Sequence, residues 1–193
     1  MPGPLHPPAL AALLERRSVR PRRLVPPGPD ATALDSIAAA GLRGIDHGAL
    51  RPWRLLLVED RELLATAFAA AERWLRPEAD AQRLERAREK AQAGPVILAL
   101  IARPVPDRPE VPEHEQWIAV GAAAQQMLLA ADALGFAGSL LSGRKTEAPP
   151  LRAALGLDAD ERLVGFLTLG TPAEPTATKR PAPDPRRQWS SWP

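Results

Sequence analysis

The chain has 193 residues, 45% of them hydrophobic, a length and composition that fit one domain with a sizeable apolar core. It contains no cysteine, which excludes disulfides, thiolate nucleophiles and thiolate metal sites. A net charge of +2 is no electrostatic footprint for nucleic acid, and no apolar run approaches the length of a membrane span. Lys90, Lys145 and Lys179 are the only lysines. With abundant Ala and Pro and no Tyr, the arginine excess reads as a compositional bias. The start lacks a lysine-flanked apolar region, so no secretory signal is expected and cytoplasm is the default location.

Residues 1–8, with four prolines, read as a flexible lead, and 9–17 as a helix. Residues 20–29 form a proline-broken connection. Asp30 is an N-cap for a helix whose apolar face is Leu34, Ile37, Ala38 and Gly41. Residues 54–58 read as a buried strand. A helix over 62–76 carries Leu63, Leu64, Ala67, Phe68, Ala71 and Leu75 on one side. Pro77 is expected to open a charged surface helix reaching residue 93. The run 96–102, bounded by Gly94-Pro95, reads as a central strand. After a proline-rich loop over 103–112 comes the longest helix, 113–134, with a stripe of Trp117, Val120, Gly121, Ala124, Met127, Leu128, Ala131 and Leu134. A strand over 136–141, a short helix over 151–155 stopped by Gly156, and a last strand over 163–169 complete the core. Residues 171–193 read as an extended tail bearing Trp189 and Trp192. Four strands interleaved with helices predict a single layered α+β domain over 1–193.

The chemistry concentrates in Leu13-Leu14-Glu15-Arg16-Arg17-Ser18-Val19-Arg20. The arginine fork fits phosphate oxygens two at a time, and a serine hydroxyl adds a neutral donor. Held at a helix end, such a cluster suits a phosphate monoester; its alternative is a solvated basic turn. Gly-x-Gly-x-x-Gly, P-loop and Gly-x-Ser-x-Gly patterns are absent. His6, His47 and His114 lack metal-ligand spacing, so no metal is expected.

One helix later comes Ala40-Gly41-Leu42-Arg43-Gly44-Ile45-Asp46-His47, which runs through Pro52-Trp53 into the strand. Glu115-Gln116-Trp117, Leu134-Gly135-Phe136-Ala137-Gly138 and Val164-Gly165-Phe166-Leu167-Thr168-Leu169-Gly170-Thr171-Pro172 follow in order. Over roughly residues 9–173 these pieces resemble the FMN-dependent nitroreductase family, above all its short single-domain members.

The resemblance implies a mostly antiparallel sheet flanked by helices and an intertwined homodimer, with exchanged tails accounting for Trp189 and Trp192. It implies FMN as cofactor, with the phosphate at Arg16, Arg17, Ser18 and Arg20, and with Arg43 and His47 reaching the partner's flavin. Ser139, Leu140, Leu141, Ser142 and Gly143 fall in the segment that flanks the flavin ring, and Lys179 and Arg180 are candidate phosphate partners. Leu140-Leu141 stand where similar members carry Trp-Arg, and Arg51 where many carry Gln. Trp53 reads as core. Asp46 either orients His47 or caps a turn. The activity implied is ping-pong transfer of hydride from NAD(P)H through the flavin to a nitroaromatic or quinone. No side chain is an obvious general acid, so solvent or His47 supplies protons. Two alternatives stay open: a flavin-binding protein with little turnover, and a basic interaction module.

Overall fold

The computed structural model describes residues 7–174 and 184–192. The run Val96–Ala102 is the third strand in chain order, β3, and sits inside the sheet. It has no polar alternation because both of its faces are covered. Ile97, Ala99 and Ile101 join Leu64, Ala67, Leu151 and Phe166 in one core cluster. Leu98 packs with Ile37, Met127 and Leu167, and Leu100 with Val120 and Ala124, in clusters on the other side. The protein is therefore a three-layer α/β/α sandwich. Helices α3 (Arg61–Leu75) and α6 (Pro149–Ala154) cover one face, and α2 (Ala31–Gly41) and α5 (Glu113–Ala133) the other. Phe68 and Phe166 meet edge to face, with centroids 5.2 Å apart.

The remaining strands are β1 (Leu24–Val25), β2 (Trp53–Leu57), β4 (Ala137–Leu141) and β5 (Arg162–Pro172). β5 is the spine: it pairs antiparallel with β1, β3 and β4, while β2 pairs antiparallel with β3. The expected mostly antiparallel α+β sheet is what forms. Asp30, Asp60 and Asp80 cap α2, α3 and α4 (Ala81–Glu89), accepting from Ala33, Leu63 and Arg83 N–H groups at 2.9, 2.8 and 2.7 Å. Each cap contributes about 1 kcal/mol. Among the described residues no helix is long and apolar enough to cross a membrane.

Several expectations shift. The proline-broken connection contains β1, which is only two residues long. Its partner residues Thr171 and Pro172 extend β5 into what read as tail. The first helix, α1 (Pro8–Glu15), takes Pro8 from the expected lead, since proline suits a first helical position. Helix α4 starts at Ala81 and not Pro77 because the Asp80 cap sets its start. The buried face of α5 keeps Val120, Ala124, Met127, Leu128 and Ala131 of the expected stripe, adds Gln116, Ala119 and Ala123, and leaves Trp117, Gly121 and Leu134 exposed. The many alanines let the helix turn its small side to the sheet.

Glu72 on α3 is buried beneath three cations. Its carboxylate meets Lys145 at 2.6 Å, Arg83 at 2.7 Å and Arg76 at 2.8 Å. The hydrogen bond from Lys145 comes first among the causes holding its pKa at about 2, against an ordinary 4.5; burial opposes it. A depressed carboxylate pKa gives stability that is present above the ordinary value and lost as pH falls through the depressed one. Glu72→Gln is expected to cost on the order of 3 kcal/mol at neutral pH. Urea unfolding from pH 7 to 2 should show the gap to the parent chain closing between pH 4.5 and 2. A gap that stays constant across that window would contradict an ionised Glu72.

Candidate functional site

Helix α1 stops at Glu15, and Arg16 turns to an extended backbone. Pro21 keeps Arg20 extended, at φ −63° and ψ 141°, because the proline ring crowds a helical predecessor. Between them Val19 is buried against Leu24 and Ala137. Its N–H donates to the Gly138 carbonyl at 3.1 Å, and Ser18 forms an isolated parallel bridge with Gly138. A side chain at 138 is impossible, since a Cβ there would lie 2.5 Å from the Thr168 carbonyl oxygen. This tether joins two motifs 120 residues apart in sequence: the arginine turn and the start of β4, the strand that leads into Ser142 and Gly143.

The turn divides its arginines. Arg17 donates to the carbonyls of Leu14 at 2.5 Å and Arg16 at 2.9 Å, so it closes the end of α1. Arg16 and Arg20 have no ion-pair partner among the described residues. Ser18 is exposed at the surface of the turn.

Leu140 and Leu141 are the last residues of β4 and face opposite ways. Leu140 packs into the core against the α5 side of the sheet, and Leu141 is exposed. The Ser142 hydroxyl donates to the Val164 carbonyl at 2.5 Å, which commits it and leaves the backbone. Gly143 has φ 133°, with open space where a Cβ would stand. Behind it Thr146 donates to the Gly143 carbonyl at 2.9 Å, and Lys145 is held by Glu72. Ser139 is buried on the same strand, and its hydroxyl lacks a partner among the described residues.

A second group lies on the segment between α2 and β2. Gly44 packs closely on α5: a Cβ would stand 3.1 Å from the Ala123 backbone nitrogen. Arg43 is exposed and has no ion-pair partner among the described residues. Asp46 caps the turn, accepting from Leu50 at 3.2 Å and Arg51 at 2.8 Å. Gly48, Ala49 and Arg51 all have positive φ, at 72°, 51° and 49°. For the two non-glycines this costs on the order of 1–3 kcal/mol each, the kind of strain that gathers at working sites. His47 Nδ1 meets the Glu115 carboxylate at 2.7 Å. Of the two roles open to Asp46, the structure shows the cap, and Glu115 contacts His47.

Glu115 and its neighbour Gln116 carry more than the opening of a helix. The buried Gln116 amide bonds Val105 N–H and C=O and the Val111 carbonyl, fixing the loop 103–112. A polar residue inside an otherwise apolar helix face was the one signal for this. Trp53 packs in the core as expected. Lys179 and Arg180 lie outside the described residues.

Among the described residues no hydrogen bond or ion pair joins the Arg16–Gly143 group to the Arg43–His47 group. A cleft of 330 Å³ beside Asp107, Arg108, Glu113 and Arg162 contains no predicted site residue.

The arrangement has relatives. The family model described as "Nitroreductase family" matches residues 13–171, from just before the arginine turn to the end of β5. The Escherichia coli (strain K12) protein YdjA, named as a candidate NAD(P)H nitroreductase, is 33% identical over 92% of this chain and 95% of its own. A nitroreductase-like family protein from Bacillus cereus shares the fold at TM-score 0.80 and 20% identity, covering 99% of both chains. The NADPH:FMN oxidoreductase of Vibrio harveyi, solved with NAD+, gives TM-score 0.69 at 20% identity, over 90% of this chain and 73% of that one. The match spans both halves of the candidate site and the sheet that joins them: the chain belongs to the nitroreductase family of oxidoreductases.

Proposed function

We propose that this chain is an FMN-dependent oxidoreductase that takes hydride from NAD(P)H and passes it to an electron-poor acceptor of the nitroaromatic or quinone class. The observation that carries the reading is the tether between the arginine turn and β4. It sets two cations and a hydroxyl without described partners beside the start of β4, the strand that leads into the open Gly143. Unpaired guanidinium groups beside a hydroxyl fit a phosphate monoester, and the partnerless Ser139 hydroxyl is a further polar group on that strand. The names of the relatives point the same way. NAD(P)H is a reductant of the cytoplasm, where we place the protein.

Arg16, Ser18 and Arg20 would hold the phosphate end, with Arg17 shaping the turn. Leu141, Ser142 and Gly143 would border the ring, and Leu140 supports them from the core. FMN, when bound, supplies the hydride chemistry; the protein supplies binding, orientation and electrostatics. Because Leu140 is a core residue, the Leu140-Leu141 pair changes the site through Leu141 alone. A binder without turnover therefore loses its main motive.

We place Arg43 and His47 at the flavin of a second chain in a homodimer. Apolar side chains left exposed in the single chain support this: Leu13 and Leu14 on α1, Leu42 and Ile45 beside Arg43, Trp117 and Ile118 on α5, and Trp189 and Trp192. Ile45 is 70% exposed and Trp192 94%, an exposure that calls for a covering surface.

The purified protein should be yellow and release FMN on denaturation. Arg16→Ala should weaken FMN binding about ten- to a hundredfold while the circular dichroism stays unchanged. Protein that neither carries nor takes up FMN would overturn the reading.

Composite sites predict complementation. Arg16→Glu and Arg43→Glu homodimers should each lose FMN, since every site carries one defect. In a mixed dimer one site collects both defects and the other none, so flavin should return to about half the sites. A verified mixed dimer that recovers no flavin would show that the two arginines do not serve different chains.

A further inference from the structure

His47 is held twice, and the two holds do different work. Its backbone turn is fixed by Asp46, whose two carboxylate oxygens accept from Leu50 and Arg51. Its ring is fixed from another element, by Glu115 in the first turn of α5. The turn has its cap without Glu115. The ring is exposed, with 58% of the side chain in solvent, where an ion pair contributes little to stability. What the Glu115 contact determines is where the imidazole points and which nitrogen it offers.

We propose that Glu115 is a positioning residue, which holds His47 by Nδ1 and presents Nε2 to the redox site. An ionised carboxylate only accepts, so the proton of a neutral ring belongs on Nδ1 and the Nε2 lone pair is left available. Glu115 suits the task because its base is rigid. The adjacent Gln116 is buried and bonds both ends of the 103–112 loop, so the start of α5 is clamped in place. Ring and carboxylate come from segments 68 residues apart, so their meeting is a tertiary arrangement. The proposal rests on the reading that His47 borders the flavin of a partner chain.

The test is the nitrogen NMR spectrum of the full chain labelled with ¹⁵N-histidine, with and without FMN. A His47→Gln variant assigns the ring. At a pH where the ring is neutral, the parent chain should show Nδ1 carrying the proton and Nε2 bare. Glu115→Leu should move the proton toward Nε2 or average the two sites, while Glu115→Gln, whose amide oxygen also accepts, should keep the parental pattern. FMN should shift Nε2 more than Nδ1. Turnover with a quinone should fall by up to about a hundredfold in Glu115→Leu and recover in Glu115→Gln, as expected for a misplaced group. Thermal unfolding of the two variants should stay close to the parent.

An Nε2-protonated ring in the parent chain, or one unchanged in Glu115→Leu, overturns the proposal. So does an Nδ1-protonated ring that ignores FMN in a protein that binds it. That last result would leave the oxidoreductase reading intact, whereas failure of that reading would appear as no FMN binding at all.

Discussion

One backbone hydrogen bond, from Val19 N–H to the Gly138 carbonyl, ties the arginine turn to the sheet, and the proposed site depends on it. It is short-range in space and long-range in sequence, and it joins the turn to a strand that itself pairs with β5. Three residues make it possible. Val19 is buried beside Ala137 and anchors the turn; Pro21 keeps Arg20 out of helix; Gly138 gives the space, since any Cβ would meet the Thr168 carbonyl. Arg16 and Arg20 need no side-chain contacts of their own to be placed. They are carried by an apolar anchor and a missing side chain, which leaves Arg16 and Arg20 open to a ligand.

The same division between frame and working groups runs through the molecule. The doubly covered strand β3 and the spine β5 supply the rigidity. Glu72, beneath the sheet's edge connections, holds Lys145 and so backs the loop at Ser142 and Gly143. Two of the three non-glycine residues with positive φ among the described residues, Ala49 and Arg51, fall in the His47–Arg51 turn, which the Asp46 carboxylate holds; the third is Asp107. A strained turn with a cap of its own can present Arg43 and His47 outward without the core having to adapt. The exposed leucines and tryptophans around it are consistent with a second chain completing what one chain leaves open.

Much of this was legible in the sequence where a residue type has one physical use. The run 96–102, bounded by Gly94-Pro95, read as a central strand, and Asp30 ahead of an apolar helix face read as an N-cap. The ordered motifs from the arginine turn to the Gly170-Thr171-Pro172 end gave the family. What was hidden depends on contacts that periodicity does not encode. β1 is two residues long and exists only by pairing with Thr171 and Pro172. Leu140 and Leu141 look alike in sequence, and only the pleat of β4 sends one to the core and the other to solvent. The stripe read for α5 was right at Val120, Ala124, Met127, Leu128 and Ala131, but its edges among the alanines were set by α2 and the sheet. Glu115 looked like an ordinary acid in a first helical turn; its meaning came from His47, brought to it by the tertiary fold.

The central claim is that the arginine turn and the segment from β4 to Gly143 form one cofactor site because the turn is tied to the start of that strand. Hydrogen–deuterium exchange of the full chain, with and without FMN, tests it most directly. The account predicts that FMN slows exchange in residues 16–20 and 138–143 together, with the Val19 amide among the most protected. Protection confined to the cleft beside residues 104–113, with both tethered segments unchanged, would contradict it.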